Sequence, residues 1–269
     1  MMTDSEEPTT LHPGTEAADY HLYRRGQWDA ATGAVIEESY VCVFVNGREL
    51  VTMMATPQEQ EHLAIGYLLT EGIITRRDDI MSVSLAPNRT CVDVWLKKNE
   101  LNLPQRRILT SGCGKGMTFD QSSELPPLNS ELHLAHRELA LLMQELQSRA
   151  TLYHQARGVH AAGLASPSGL VMLAEDVGRH NTLDKLAGRC LLEGLDPRDH
   201  ILLTTGRISS EMMYKARRMR IPIVASRTSP TSLSIRRAEE WKITLVGYLR
   251  PEQMRVYAHP ERLRAQEMD

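Results

Sequence analysis

A single cysteine set among glycines is the strongest candidate for chemistry in this sequence. Cys113 lies in the segment TSGCGKGM, between Gly112 and Gly114, and Lys115 follows two positions later. Glycines on both sides let a ligand or a partner's backbone come close. A neighbouring ammonium group favours the thiolate, the form that attacks sulfur or a metal. The segment therefore predicts a reactive thiol; the alternative that the sequence leaves open is an inert cysteine in a loop.

The other three cysteines lie in apolar runs and are predicted to be small buried hydrophobic residues. They are Cys42 in YVCVFV, Cys91 in TCVDV and Cys190 in AGRCLLEG. No CxxC pair occurs, which argues against both a disulfide-rich secreted scaffold and a structural zinc site. We therefore expect reduced thiols and no tightly held metal.

A dense polar segment, EDVGRHNTLDKL, lies where a predicted strand ends and a predicted helix begins. It contains Glu175, Asp176, Arg179, His180, Asp184 and Lys185. In an open α/β sheet, ligands bind at the carboxyl ends of the strands, near helix N-termini. The alternative is a solvated helix start whose acidic residues complement the helix dipole. His160, alone on the preceding strand, is more typical of a histidine satisfied within a core.

Two later segments repeat this pattern of polar residues after a strand. In TTGRISSEM, Arg207 and Ser209 join backbone donors in a set that suits phosphate, although a routine serine cap is the alternative. SRTSPTS follows the next strand with a similar composition. The C-terminal segment YLRPEQMRVYAHPERL either holds an anionic ligand or forms a charged surface. Together these strand ends indicate a large phosphorylated ligand, beside a separate thiol for sulfur chemistry.

The elements that position these residues predict an α/β protein. In the second half, GVHAAGLA, GLVMLAED, HILLTT, IPIVAS and KITLVGYL read as strands that alternate with helices, which predicts a mostly parallel sheet. In the first half, Asn46-Gly47 predicts a hairpin. Thr56 begins a T-x-x-E capping box before a helix. A further helix is predicted over residues 129–150, and Ser229 is predicted to cap the helix that follows IPIVAS.

Composition and charge narrow the class of protein. The chain has 269 residues and a net charge of −3, which disfavours a protein that coats nucleic acid or an anionic membrane. No apolar run reaches the ~20 residues of a membrane span, and the start of the chain lacks the features of a secretory signal. We expect a cytoplasmic protein with a disordered tail over residues 1–20, an α+β region over 21–128 and an α/β domain over 129–269.

Several segments, taken in order, closely resemble the FdhD family. These are GVHAAGL, EDVGRHNTLDKL, TGR-S-EM, IPIVAS-SP-SL and LVGYLRP-VYAHPERL, and the likeness extends from about residue 38 to residue 263. Members are sulfur carriers, or sulfurtransferases, needed to activate formate dehydrogenase. The resemblance implies that Cys113 accepts sulfur from a cysteine desulfurase as a persulfide. It also implies delivery of that sulfur to the molybdenum or tungsten of a bis-molybdopterin guanine dinucleotide cofactor, in a low-turnover accessory role.

The resemblance also implies a fold, a binding segment and partners. The fold is similar to that of cytidine deaminases, with a mixed sheet, flanking helices and a smaller N-terminal α+β portion. The family's cofactor-binding segment falls on Tyr248, Leu249, Arg250, Pro251, Glu252 and Gln253. We assign His180, Arg207 and Ser209 to the cofactor phosphates by inference. The implied partners are the desulfurase, the catalytic subunit of formate dehydrogenase and a second copy of the chain in a homodimer.

One departure from the family pattern keeps an alternative function open. Many members carry CxxC at the glycine-rich loop, whereas the fourth position here is Gly116. A relay between two adjacent cysteines is therefore not carried over, although one thiolate suffices to accept and donate sulfur. The alternative is a chaperone that binds the cofactor and moves no sulfur. A zinc deaminase is disfavoured because His160 is followed by two alanines instead of H-x-E, and no P-C-x-x-C occurs.

Overall fold

The computed structural model describes residues 11–98, 107–109, 117–119 and 125–264, the two short segments by their backbone alone. The strands are β1 (Thr15–Arg24), β2 (Gln27–Ile36), β3 (Ser39–Val45), β4 (Arg48–Ala55), β5 (Ile80–Leu85), β6 (Cys91–Leu96), β7 (Arg107–Leu109), β8 (Met117–Phe119), β9 (Leu134–Ala135), β10 (His160–Ser166), β11 (Gly169–Asp176), β12 (Ile201–Thr204), β13 (Ile223–Ser226), β14 (Thr244–Gly247), β15 (Arg255–Ala258) and β16 (Leu263–Arg264). The helices are α1 (Gln60–Thr70), α2 (His136–Arg149), α3 (Thr151–Ala156), α4 (Arg179–Glu193), α5 (Ser210–Arg218) and α6 (Ser232–Trp241).

The predicted disordered tail is wrong for residues 15–20, which belong to β1. This strand pairs with β2 in antiparallel register along its whole length. Arg25 and Gly26 form the turn, both with positive φ, and the rings of Tyr23 and Trp28 lie 5.0 Å apart across the strands. Paired backbone and a tight turn order this segment although its composition is polar. The division of the chain at residue 128 stays a prediction.

A four-stranded sheet in the order β4-β3-β6-β5 forms the smaller α+β portion. The predicted Asn46-Gly47 hairpin is confirmed, since φ is 49° and 76° at the two residues and β3 pairs with β4. The predicted capping box is wrong, because α1 begins at Gln60. Thr56 is buried, and its hydroxyl accepts a hydrogen bond from the backbone N–H of Val177 at 3.2 Å.

The larger sheet has six strands in the order β11-β10-β12-β13-β14-β15. Of its five neighbouring pairs, only β12–β13 and β13–β14 are parallel, so the sheet is mixed and not mostly parallel. The two-residue turn between β10 and β11 permits only an antiparallel pair. Alternate residues of β12 face opposite cores: Leu202 packs with α4, α5 and α6, while Ile201 and Leu203 pack with α2. This confirms the predicted α/β class with flanking helices.

Two predicted helix starts are shifted in the structure. The helix predicted from residue 129 begins at His136, where Glu138 accepts a hydrogen bond from the N–H of Ala135 at 2.7 Å. The cap of α6 is Thr231 instead of Ser229, because the Thr231 hydroxyl accepts from the N–H of Ser234 at 3.3 Å. Among the described residues, no helix is long and apolar enough to cross a membrane.

Helices α1 and α4 join the two sheets by crossing at glycines. A Cβ added to Gly66 would lie 1.7 Å from the carbonyl oxygen of Asp184, and one added to Gly188 would lie 1.9 Å from the carbonyl oxygen of His62. Side chains at either position would force the helices apart. This close crossing holds the smaller sheet against the helical layer of the larger one.

A buried ionic cluster lies beside this crossing. Lys215 on α5 donates to Asp184 on α4 at 2.9 Å, to Glu71 just after α1 at 3.3 Å, and to the hydroxyl of Thr70 at 3.0 Å. Lys215, Asp184 and Glu71 are each only 1% exposed. Burial opposes the charge on Lys215, but the surrounding carboxylates outweigh it and raise the pKa of the ammonium group. One cation therefore ties together three helices.

Candidate functional site

The polar segments predicted from the sequence meet at one edge of the six-stranded sheet. The strands β11, β12, β13 and β14 end at this edge, and β10, which runs the other way, begins here with His160. The connections that follow these strands lead into α4, α5, α6 and β15. The edge therefore combines the carboxyl ends of parallel strands with the N-termini of helices, the usual place for a ligand in an open α/β sheet.

Hydrogen bonds hold the connections at this edge together. The Ser226 hydroxyl donates to the carbonyl of Gly206 at 2.7 Å and accepts from the N–H of Thr228 at 3.0 Å. The N–H of Tyr248 donates to the carbonyl of Thr228 at 3.1 Å. Arg250 donates from Nη1 to the carbonyl of Arg227 at 2.8 Å. Three connections distant in sequence thus form one fixed wall.

This wall encloses a cavity of about 410 Å³. The strand ends contribute His160, Ala161, Thr205, Arg227, Thr228 and Arg250, and the helical side contributes Gln147, Ala150, Tyr153, His154 and Val159. Its volume lies in the range of small-ligand pockets. Two guanidinium groups, hydroxyls and histidines on one concave surface suit an anionic ligand.

Among the described residues, no acidic side chain lines this cavity. Burial and the nearby Arg250 lower the pKa of Arg227. Burial and then Arg179 lower the pKa of His160, although Asp176 opposes them. These directions mean that a further positive charge is disfavoured in the cavity, so an anion would be stabilised there.

A second polar group lies next to the cavity and joins α4 to α5. His180 Nε2 is 3.2 Å from the hydroxyl of Ser209 and 3.3 Å from a carboxyl oxygen of Glu211. Burial, followed by Arg179, lowers the pKa of His180 to about 3, and burial raises the pKa of Glu211 to about 7. At neutral pH, a neutral imidazole therefore faces a carboxyl group that is about half protonated.

The pKa shifts of Glu211 and His180 change the free energy of unfolding with pH in opposite directions. The variant Glu211→Gln removes the contribution of the carboxyl group and leaves that of the imidazole. The pKa of Glu211 is raised from 4.5 in the folded protein, so this carboxyl lowers the free energy of unfolding as pH rises from 4.5 to about 7. The pKa of His180 is lowered from 6.5 to about 3, so the imidazole raises the free energy of unfolding as the pH rises from 3 to 6.5. The variant lacks this titrating carboxyl. We therefore expect its free energy of unfolding, relative to that of the parent chain, to increase by about 2 kcal/mol as the pH rises from 5 to 8.

Urea unfolding at the two pH values measures this gain. The control is Glu240→Gln, which neutralises a carboxylate with 53% side-chain exposure on α6. A gain of the same size in both variants, or none in Glu211→Gln, would show that the His180–Glu211 pair does not titrate in this way.

The carboxylates of the EDVGRHN segment have structural partners and do not line the cavity. Asp176 is fully buried and accepts from the N–H of Gly178 and from Asn181 Nδ2, both at 2.8 Å. Lys185 Nζ lies 2.7 Å from the same carboxylate. Glu175 accepts from two backbone N–H groups at the start of α3, at 2.9 and 3.0 Å. Their function is to hold α3 and α4 in place around the site.

The other predicted binding residues lie at this edge in different settings. Of the segment from Tyr248 to Gln253, Arg250 lines the cavity, Leu249 is buried, and Pro251, Glu252 and Gln253 are exposed. Tyr248 has φ of 53°, and the Arg255 guanidinium lies 4.4 Å from its ring centre.

His180 and Ser209 contact each other beside the cavity, whereas Arg207 is exposed. Cys113 and Gly116 lie outside the described residues. The assignment of these positions to persulfide or phosphate therefore stays a prediction.

The described cysteines differ in their surroundings. Cys190 is buried as predicted, and burial raises its pKa to about 12. Cys42 and Cys91 are only half-buried, and they lie opposite each other on β3 and β6, so the prediction of buried residues is wrong for them. The pKa of Cys42 is raised, with burial and Cys91 outweighing the opposite effect of the Thr52 hydroxyl, which donates to its sulfur at 3.3 Å.

Comparisons with known proteins decide the family. The model of the FdhD/NarQ family matches residues 36–264. This chain belongs to the FdhD/NarQ family. The sulfur carrier protein FdhD of Bacillus subtilis is 35% identical over 257 residues, which are 93% of this chain and 98% of the relative. The protein of the same name from Staphylococcus haemolyticus is 32% identical over 251 residues, 91% of this chain and 95% of the relative.

A solved structure places the same fold in this FdhD/NarQ family. The crystal structure of a protein described as a formate dehydrogenase accessory protein, from Desulfotalea psychrophila, superposes with a TM-score of 0.80 at 30% identity. The match covers 94% of this chain and all of the other. The resemblance drawn from the sequence motifs is therefore confirmed, and so is the mixed α/β fold.

Some residues of the site in this FdhD/NarQ member escape sequence reasoning. Tyr153 and His154 come from α3, a helix without a polar motif after a strand. Arg227 and Thr228 lie in SRTSPTS, whose composition gave only an unspecific signal. Glu211 follows two serines that read as a helix cap, and only the packing of α4 against α5 brings it to His180.

Proposed function

We propose that this chain is a sulfur carrier that serves formate dehydrogenase and binds a molybdenum or tungsten bis-molybdopterin guanine dinucleotide as the acceptor of its sulfur. The observation that carries the cofactor part is the cavity at the sheet edge, where Arg227 and Arg250 meet the strand ends. Membership of the FdhD/NarQ family supports the sulfur part. The metal belongs to the cargo, so the chain acts as an accessory sulfurtransferase.

The proposed sulfur step needs one thiolate. Cys113 attacks the terminal sulfur of a persulfide on a cysteine desulfurase; a new S–S bond forms at Cys113, and the bond to the donor cysteine breaks as its thiolate leaves. Lys115 lies near enough in sequence to favour the thiolate. The raised pKa values of Cys42 and Cys190 disfavour them for this role. Cys113 then carries the sulfur to the metal of the bound cofactor.

The cavity supports binding of one arm of that cofactor. Each arm carries a guanosine diphosphate unit, and about 410 Å³ suits a single nucleotide better than the whole cofactor. The guanidinium groups of Arg227 and Arg250 fit the pyrophosphate. A homodimer, which we keep as a prediction, would supply one such cavity for each arm.

Guanosine diphosphate is the probe for this site. Arg250→Gln removes the charge but keeps hydrogen-bond donors for the carbonyls that Arg250 now contacts. We expect its Kd for guanosine diphosphate, measured by titration calorimetry, to rise by about tenfold. Arg236→Gln, an exposed position on α6 outside the cavity lining, makes the same charge change and should bind like the parent. Equal affinity of Arg250→Gln and Arg236→Gln for guanosine diphosphate would show that this cavity does not bind the cofactor arm.

A second candidate function is a cofactor chaperone that moves no sulfur. Gly116 favours it, since it stands where many family members have a second cysteine. Both functions need the cavity, so only the behaviour of Cys113 separates them. A sulfur carrier requires this thiol, whereas a chaperone does not.

A further inference from the structure

A second cavity, of about 520 Å³, lies at the opposite edge of the six-stranded sheet. Arg198 and Asp199 come just before β12, and Arg217, Arg218 and Arg220 lie at the far end of α5. The first cavity lies beyond the C-terminal end of β12 and near the N-terminal end of α5. Because β12 has four residues, the two edges are separated by about 13 Å of strand. The second cavity is therefore distinct from the proposed cofactor site.

Positive charge is concentrated in this second cavity. Four arginines and one aspartate line it, in a chain whose net charge is −3. Arg198 forms an ion pair with Asp196, and Asp199 accepts from the hydroxyl of Ser130 at 2.6 Å. The other three arginines of the lining therefore face a single aspartate. Burial, together with the charges of Arg220 and Arg218, lowers the pKa of Arg217, so an anion here would relieve the repulsion.

Two of these arginines are fixed before any ligand arrives. Arg217 Nε donates to the carbonyl of Pro126 at 2.9 Å. Arg218 Nε donates to the hydroxyl of Tyr214 at 3.0 Å. Arg217 also donates from Nη2 to the Pro126 carbonyl, and a guanidinium group carries five N–H donors in all. Because these two guanidinium groups are already oriented, less conformational entropy is lost when they bind a ligand.

Arg220 lies at a backbone position that favours glycine. Arg220 follows α5 with φ of 62°, and its N–H donates to the carbonyl of Arg217 at 3.0 Å. Glycine is the favoured residue at this position after a helix, since its φ is positive there without strain. Glycine can therefore replace Arg220 without backbone strain, so that the contribution of its side chain can be tested separately.

We propose that this cavity is a second anion-binding site, which binds the phosphate group of a small organic phosphate. Guanidinium forks match phosphate oxygens with paired hydrogen bonds. Leu125 and Leu128 in the wall give an organic portion apolar surface to contact. The concave shape and the volume fit a small molecule, whereas an acidic protein segment needs an open surface. The site does not depend on the proposed function.

The variant that tests this site is Arg220→Gly in the full chain. Glycine relieves the positive φ, so the fold should be kept, and the thermal midpoint should not fall. The matched control is Lys242→Gly, because Lys242 is an exposed cation that follows α6 with φ of 54° and lies outside the cavity. Both variants lose one positive charge at the same kind of backbone position.

The probes are glycerol 3-phosphate, inorganic phosphate and a hexaglutamate peptide, each titrated at fixed ionic strength. We expect glycerol 3-phosphate to bind the parent chain, Arg220→Gly to raise its Kd by about tenfold, and Lys242→Gly to leave it unchanged. Equal weakening by the two glycine variants would indicate a general charge effect and overturn the site.

Loss of binding in Arg250→Gln alone would assign the phosphate to the first cavity. No binding of either phosphate, or Arg220-dependent binding of the peptide alone, would also overturn the proposal.

Discussion

A chain with serine in place of Cys113 is expected to fold like the parent and to leave formate dehydrogenase inactive. A serine hydroxyl stays protonated at neutral pH and forms no stable persulfide, so the sulfur has no carrier. In a strain that lacks its own copy of the protein, we expect formate dehydrogenase activity to fall by about 100-fold or more. Activity assays on cell extracts, with the amounts of both proteins checked, measure this.

Serine variants of Cys42 and Cys91 are the controls for this loss. Both cysteines are half-buried on neighbouring strands of the smaller sheet, where a serine can be accommodated. They should support activity close to that of the parent. Full activity in Cys113→Ser would favour the chaperone that moves no sulfur, whereas loss in all three variants would point to a general effect of removing thiols.

The largest expected loss of stability comes from Lys215→Met. The variant keeps most of the side-chain volume but leaves Asp184 and Glu71, each 1% exposed, without their cation. Removing one partner of a buried ion pair costs about 3–5 kcal/mol, because the remaining charge is neither solvated nor compensated. The free energy of unfolding in urea at pH 7 should fall by this amount.

The pH dependence distinguishes lost charge pairing from lost packing. Burial raises the pKa of Asp184, so without Lys215 this carboxyl group becomes protonated as the pH falls, and the deficit of the variant against the parent should shrink. The control is Lys97→Met, at an exposed position, which should change stability by less than about 0.5 kcal/mol. A deficit under about 1 kcal/mol in Lys215→Met would contradict a stabilising role for the cluster.

The second half of the fold follows from local signals in the sequence. The helices α4 and α5 occur as predicted because a glycine stops the first at residue 194 and Ser209 caps the second. The predicted strand ends lie within two residues of the observed ones, and their polar residues meet at one edge. The direction of β10 and β11 was not predicted, since apolar strands read alike in either direction and only their short turn decides the pairing.

The sequence singles out residues of this cavity only where they follow strands. Arg250, which the sequence predicts to bind the cofactor, lines the cavity, but Tyr153 reaches it from a helix that carries no motif. The acidic residues Glu175 and Asp176 looked like ligands and instead accept hydrogen bonds from backbone and side-chain groups inside the fold. Sequence spacing shows which polar residues share an element, whereas burial and partners depend on packing between distant elements.

Intact-mass spectrometry shows directly whether Cys113 carries sulfur. The purified chain is incubated with a cysteine desulfurase and L-cysteine, reductant is removed beforehand, and Cys113→Ser is treated in parallel. We expect the chain to gain one sulfur atom, about 32 Da, which disappears on adding reductant and is absent from the variant. No gain with a competent desulfurase, or the same gain in the variant, would contradict it.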